Sequence, residues 1–139
     1  MNDYYLGVDI GSLGTKCAVV SAGGEVVGSA IIGTGANVVQ AAQLARKLAL
    51  GEAGITEGQV AFSIATGYGR KRADVDAKVT EITCHAVGAV HFFPNTRTVL
   101  DIGGQDTKVI EVSANGDVEN FAMNDKCAAG TGRFLEVMA

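Results

Sequence analysis

Proline occurs once in these 139 residues, basic residues are outnumbered, and no run of about 18 apolar residues is present. Each shortage excludes something. Without a long apolar run there is no candidate membrane-spanning helix. With a single proline and 47% hydrophobic residues, the composition is that of a packed α/β core rather than a disordered chain. A formal net charge of −4 gives no basic footprint for nucleic acid. Cysteine is scarce too: Cys17, Cys84 and Cys127 are odd in number and far apart, which suits reduced thiols or a metal ligand better than a disulfide framework. The opening Met1-Asn-Asp-Tyr-Tyr5 lacks the basic region of a signal peptide, so the expected location is cytoplasmic.

Several chemical motifs are missing as well. Gly11-Ser-Leu-Gly-Thr-Lys16 has the flavour of a Walker A loop, but its glycine spacing is short and Cys17 follows the lysine where Ser or Thr belongs. No G-x-G-x-x-G opens a helix after a strand, and C-x-x-C, H-E-x-x-H and G-x-S-x-G do not occur. His85 and His91 lie six apart on one expected helix, on different faces, and read as core or surface residues.

Glycine is abundant instead, at 19 residues, nearly double the usual share of about 7%. Much of it belongs to an internal repeat. An ungapped offset of 92 residues lays Asp9–Val26 on Asp101–Val118, with ten of eighteen pairs identical, among them Asp9/Asp101, Gly11/Gly103, Thr15/Thr107, Lys16/Lys108, Ser21/Ser113 and Gly24/Gly116. Such a repeat points to a duplicated supersecondary unit. Each copy reads as an apolar strand ending in Asp, a Gly-rich turn, a returning strand, and a second Gly turn into a third strand.

Two readings of that hairpin compete. It is either an ordinary turn or a phosphate loop, because glycines let backbone N–H groups crowd round an anion. A carboxylate cannot bind phosphate directly. It can hold Mg²⁺ through water or orient an attacking water, as phosphoryl transfer requires. Duplication favours the second reading: two such turns would clamp a nucleotide's phosphates between two lobes.

The remaining pattern supplies strands at Tyr4–Ile10 (expected to be buried on both faces), Thr15–Ser21, Glu25–Gly33 and Val60–Thr66, and a short one within Val75–Glu81. Helices are expected at Val38–Leu50, ended by Gly51 and Gly54 with Arg46 and Lys47 suited to the C-terminal dipole, and at Ile82–Phe93, stopped by Pro94. Arg70-Lys-Arg72 reads as a solvated charge run. The second copy follows with strands at Thr96–Asp101, Thr107–Ser113 and Val118–Met123 and a helix at Cys127–Met138. Three antiparallel strands, helix, strand, helix give a mixed five-stranded α/β sheet of ribonuclease-H-like topology. We expect lobe I at 1–95 and an incomplete second copy, the first part of lobe II, at 96–139.

Cys17 and Cys84 fall inside a strand and a helix, and read as structural. Cys127 differs, because Asn124-Asp-Lys-Cys-Ala-Ala-Gly-Thr-Gly-Arg133 places it at an expected helix N-terminus, where a thiolate is stabilised. The chemistry leaves a capping cysteine and a functional thiolate both open.

Together, Leu6-Gly-Val-Asp-Ile-Gly-Ser12 with Lys16, Ala65-Thr-Gly-Tyr-Gly-Arg70, Cys84-His-Ala86, Asp101-Ile-Gly-Gly-Gln-Asp106 with Lys108, and Asn124–Phe134 resemble the activator family of 2-hydroxyacyl-CoA dehydratases. This family of CoA-substrate-specific enzyme activases includes the ATPase subunits of benzoyl-CoA reductases, within the actin-like ATPase superfamily. The resemblance implies a homodimer that binds ATP/ADP and Mg²⁺ and shares one [4Fe-4S] cluster between its two copies. Hydrolysis drives a low-potential electron into an acyl-CoA dehydratase or reductase partner.

Carried onto this sequence, the resemblance puts Gly11, Ser12, Lys16, Gly103, Gly104 and Gln105 in the phosphate loops. Asp9 and Asp101 fall on the catalytic Mg²⁺ and water side, and Cys127 is the first cluster ligand. The family's second cluster cysteine, its adenosine-binding motif and its closing helix lie beyond residue 139. We therefore expect an N-terminal fragment with little ATPase activity of its own. Two alternatives stand beside it: a non-redox small-molecule kinase of the same superfamily, in which Cys127 is incidental, and an inactive fragment that pairs with a second copy by domain swapping.

Overall fold

The computed structural model describes residues 3–103 and 106–124. It forms two units, 1–79 and 80–139. The first is a five-stranded sheet of β1 (Tyr4–Ile10), β2 (Gly14–Ser21), β3 (Val26–Gly33), β4 (Val60–Thr66) and β5 (Ala77–Lys78), in the order β3-β2-β1-β4-β5. β1 pairs antiparallel with β2 and parallel with β4. This is the ribonuclease-H-like arrangement expected from the strand and helix order.

One face of the sheet packs against α1 (Val38–Ala53). Leu6, Val8 and Ile10 alternate inward along β1 and meet Cys17 and Val19 of β2, forming the core with Ala45, Ala49 and Leu50 of the helix. β1 is thus buried on one face rather than on both. Its alternate positions Tyr5 and Gly7 are exposed.

The helix comes very close to the sheet because both surfaces are small. Ala41, Ala45 and Ala49 recur every four residues and are buried. They run opposite Gly28, where a Cβ would strike the Ala49 carbonyl and the Ala53 amide. Asn37 caps the helix start, its Oδ1 accepting from the Gln40 N–H at 3.1 Å. Gly54, at φ 70°, ends it in the left-handed conformation. The helix therefore runs through Gly51, three residues past the expected end. Arg46 does not serve the helix dipole either. It makes a two-pronged salt bridge to Glu57 at 2.6 Å and donates to the Asp74 carbonyl at 3.2 Å.

The second unit pairs β6 (Thr98–Ile102), β7 (Thr107–Val112) and β8 (Val118–Asn124) in a three-stranded antiparallel sheet covered by α2 (Glu81–Phe92). Ile82, Ala86 and Val90, again four apart, pack on Val99, Ile110, Val112 and Val118. The expected helix at Cys127–Met138 lies outside the described residues.

The sequence repeat is a structural repeat in detail. In each copy the first turn closes through one backbone bond, Gly11 N to Gly14 O at 2.9 Å and Gly103 N to Asp106 O at 2.8 Å. The second turns match also: Gly24 and Gly116 have φ near 85° and donate to the carbonyls of Ser21 and Ser113. Even the register irregularity recurs, at Val19/Val20 and at Glu111/Val112, each 92 residues apart.

Candidate functional site

Asp9 closes β1 and faces Lys16 across the antiparallel pair; Asp101 and Lys108 take the same positions in the second copy. Cross-strand opposition of carboxylate and ammonium follows from the hairpin register alone.

In the first copy the loop between them is tied down from below. The Thr34 hydroxyl donates to the Gly11 carbonyl at 2.7 Å, so the buried Thr15 hydroxyl, 2.9 Å away, donates to Thr34. The Thr34 N–H also donates to the Leu13 carbonyl at 3.0 Å. The turn bond occupies the Gly11 N–H. Among the described residues, the amides of Ser12 and Leu13 at the loop tip are the ones left to face an anion.

A second glycine loop crosses the end of β1. After β4, Thr66-Gly-Tyr-Gly-Arg70 turns back so that the Gly69 N–H donates to the Ile10 carbonyl at 2.9 Å. Gly67, at φ 90°, sits against Asp9: a Cβ there would lie 2.5 Å from Asp9 Oδ1 and from the Ile10 carbonyl. Only glycine fits on both counts. Arg70 donates from Nη1 to the Gly67 carbonyl at 3.0 Å, bracing the loop. Lys71 and Arg72 are exposed, as expected of that charge run.

The two lysines have diverged. Lys16 lies 3.4 Å from Asp9 with about half of its side chain exposed. Lys108 is buried, its side chain 3% exposed, and its ammonium meets Asp106 at 2.8 Å, Asp101 at 3.3 Å and Glu81 of α2 at 3.3 Å. Burial alone would lower the affinity of Lys108 for its proton. The Asp106 hydrogen bond and the three negative charges outweigh it and raise the pKa above the ordinary lysine value. Asp106 stands where the first copy has Gly14 and, with Glu81 of α2, surrounds Lys108 with carboxylates that Lys16 lacks among the described residues. Lys16 is the more exposed ammonium of the two.

Two residues of α2 belong to this surrounding: Glu81, which no motif contains, and His85, which lies within Cys84-His-Ala86 but from sequence alone reads as a core or surface residue. Nδ1 of His85 lies 3.7 Å from Asp101 Oδ2, and Glu81 holds Lys108. Their spacing of four, which puts both on one helix face beside the hairpin, is the sequence feature that could have found them.

Cys17 does not fit a ligand role. It is 2% exposed in the core, and burial pushes its thiol up to about 11, with Arg46 lowering and Glu57 raising it. Among the described residues, no group of three or more His, Cys, Asp or Glu side chains could hold a metal ion. Gly104, Gln105 and Cys127 lie outside the described residues. Asp9 and Asp101 are hard oxygen donors with side chains 30% and 26% exposed, and each carboxylate by itself suits a Mg²⁺ ion held through water.

A ribonuclease-H-like sheet, followed by a second copy of its opening strands and carrying an Asp–glycine turn–Lys hairpin in each, defines the actin-like ATPase fold. Within that class the chain belongs to the BadF/BadG/BcrA/BcrD ATPase family, which it matches over residues 6–139. It is 46% identical to the (R)-2-hydroxyglutaryl-CoA dehydratase activating ATPase of Acidaminococcus fermentans, covering 100% of this chain and 54% of that protein. The crystal structure of component A of that organism's dehydratase superposes with a TM-score of 0.85 at 45% identity, over 99% of this chain and 53% of that one. The activator of the Clostridium difficile 2-hydroxyisocaproyl-CoA dehydratase, solved with bound ADPNP, gives 0.82 at 43% identity, over 98% and 51%. A benzoyl-CoA reductase subunit of Thauera aromatica is 39% identical over 90 residues, 65% of this chain and 32% of that protein. The chain spans about half the length of the activators it matches.

Proposed function

We propose that this chain is the nucleotide-handling part of an ATP-hydrolysing activator that delivers a low-potential electron to a 2-hydroxyacyl-CoA dehydratase or an aromatic acyl-CoA reductase in the cytoplasm. The observation that carries the reading is the duplicated hairpin, in which the same Asp, turn bond and Lys recur. In our reading the Ser12 loop and the Lys16 ammonium bind phosphate, with Gly103, Gly104 and Gln105 in the matching loop. Asp9 and Asp101 hold Mg²⁺ through water and orient the attacking water. The named relatives, and the nucleotide analogue bound to one of them, support this assignment.

The redox half of the proposal rests on Cys127. The buried Cys17 does not offer an alternative, because its pKa is raised, the reverse of what a thiolate ligand needs. A [4Fe-4S] cluster, when bound, supplies one-electron transfer at low potential. We assign Cys127 as a ligand, one from each of two copies of a homodimer. The kinase alternative of the same superfamily leaves Cys127 without a role, so iron separates the two.

The test is anaerobic reconstitution, with iron and sulfide, of this chain joined to the C-terminal half of a family activator, which is expected to supply the second cysteine of each copy. The proposal expects visible absorbance and bound iron that are lost in Cys127→Ser. Iron and absorbance equal in the parent and Cys127→Ser would overturn the redox assignment, and so would a parent that takes up none.

A further inference from the structure

His85 and Glu81 have no part in phosphate or cation binding as assigned above, yet His85 lies against Asp101 and Glu81 reaches it through Lys108. Nδ1 of His85 is buried and has no hydrogen-bond partner among the described residues. A buried polar atom left in that state has lost its hydrogen bonds to water without replacement, and in a folded protein it calls for an explanation. The nearest acceptor is Asp101 Oδ2 at 3.7 Å, and a movement of about 0.5 Å brings the pair into the range of an N–H···O bond. The same oxygen takes the Lys108 ammonium at 3.3 Å, and Lys108 is in turn held by Glu81, one turn before His85 on α2.

We propose that His85 is a positioning residue for the Asp101 carboxylate. Its Nδ1–H donates to Oδ2, and with Lys108 it commits that oxygen to the protein, leaving Oδ1 to the cation and water. Glu81 acts one step further out, by fixing Lys108. Asp9 has no such support among the described residues, where its ionic partner is the half-exposed Lys16. The orientation-sensitive carboxylate is therefore Asp101, steered from α2 rather than from its own hairpin. This inference rests on the role given to Asp101 under Proposed function.

Two variants test it. His85→Asn keeps an N–H donor close to the Nδ1 position, and His85→Leu removes it. Nitrogen-edited NMR of the histidine rings in the folded chain should show His85 protonated on Nδ1, with a resonance that moves in Asp101→Asn. A ring protonated only on Nε2 and indifferent to Asp101→Asn would overturn the contact, whatever the turnover. In ATP hydrolysis by this chain joined to the C-terminal half of a family activator, His85→Leu should lower kcat about 10- to 100-fold, as loss of an orienting partner does, while KM for Mg·ATP stays within about twofold and His85→Asn recovers most of the loss. Wild-type kcat in His85→Leu beside a crippled Asp101→Asn would sink the positioning role and leave the ATPase reading standing. Wild-type kcat in Asp101→Asn would sink the ATPase reading itself.

Discussion

Lys16 and Lys108 occupy one position of a repeat and should answer differently to the same substitution. Lys108→Met removes the cation held among three carboxylates while each of them stays about three-quarters buried. Uncompensated buried charge destabilises by about 3–5 kcal/mol when burial is complete; with water reaching part of each carboxylate, about 1–3 kcal/mol is expected. Lys16→Met breaks a half-exposed pair and should cost no more than about 1 kcal/mol. Urea unfolding of the two variants checks the contrast, and equal losses would refute it. Gly67→Ala belongs at this scale too. It forces a side chain to φ 90° and against Asp9 and Ile10, for an expected loss of about 1–3 kcal/mol in the same assay.

The Cys17 thiol gives a pH dependence with a definite sign. Burial raises its pKa in the folded chain to about 11 from an ordinary 9.0. Between those values the folded state keeps a proton that the unfolded state has lost. The contribution is therefore fully present below the lower value and disappears as pH rises through the upper one. Cys17→Ala should flatten the fall in stability across that alkaline window, as followed by thermal unfolding at a series of pH values. At neutral pH the native Cys17 should resist thiol reagents until the chain unfolds.

At the scale of elements, the seam between α1 and β3 is the tightest joint in the first unit. Gly28→Ala would put a methyl group into the Ala49 carbonyl, and the helix must lift to admit it. Overpacking of this kind costs about 1–3 kcal/mol, and calorimetric unfolding should show it. Substitution at Gly7, where a Cβ meets nothing within 4 Å, should be tolerated.

The same elements show what could be read in advance. Strand and helix order and the hairpin repeat, with Asp9 and Lys16 matched to Asp101 and Lys108, were legible, because alternation and glycine turns are local properties. The single-sided burial of β1 was not, since Gly7 and Tyr5 look apolar in sequence whichever way they face. Nor was the clamp on Lys108, which needs Asp106 from its own hairpin and Glu81 from a helix 27 residues away. His85 escaped for a similar reason: its partner lies on a different element, and only tertiary packing brings the two together.

For the whole molecule, the family to which this chain belongs includes activators about twice its length, and the duplicated Asp–glycine turn–Lys hairpin is where we propose that the chain handles phosphate. Remote parts of a substrate help position its reacting part, so phosphate binding is the function closest to the hairpin residues. It is also the claim on which the hydrolytic and redox proposals depend. Isothermal titration of the chain with ADPNP in the presence of Mg²⁺ measures it directly. The account predicts saturable binding that Lys16→Met weakens about tenfold, close to 1.4 kcal/mol, while the variant stays folded. Absence of a binding isotherm in the parent, or equal affinity in Lys16→Met, would contradict it.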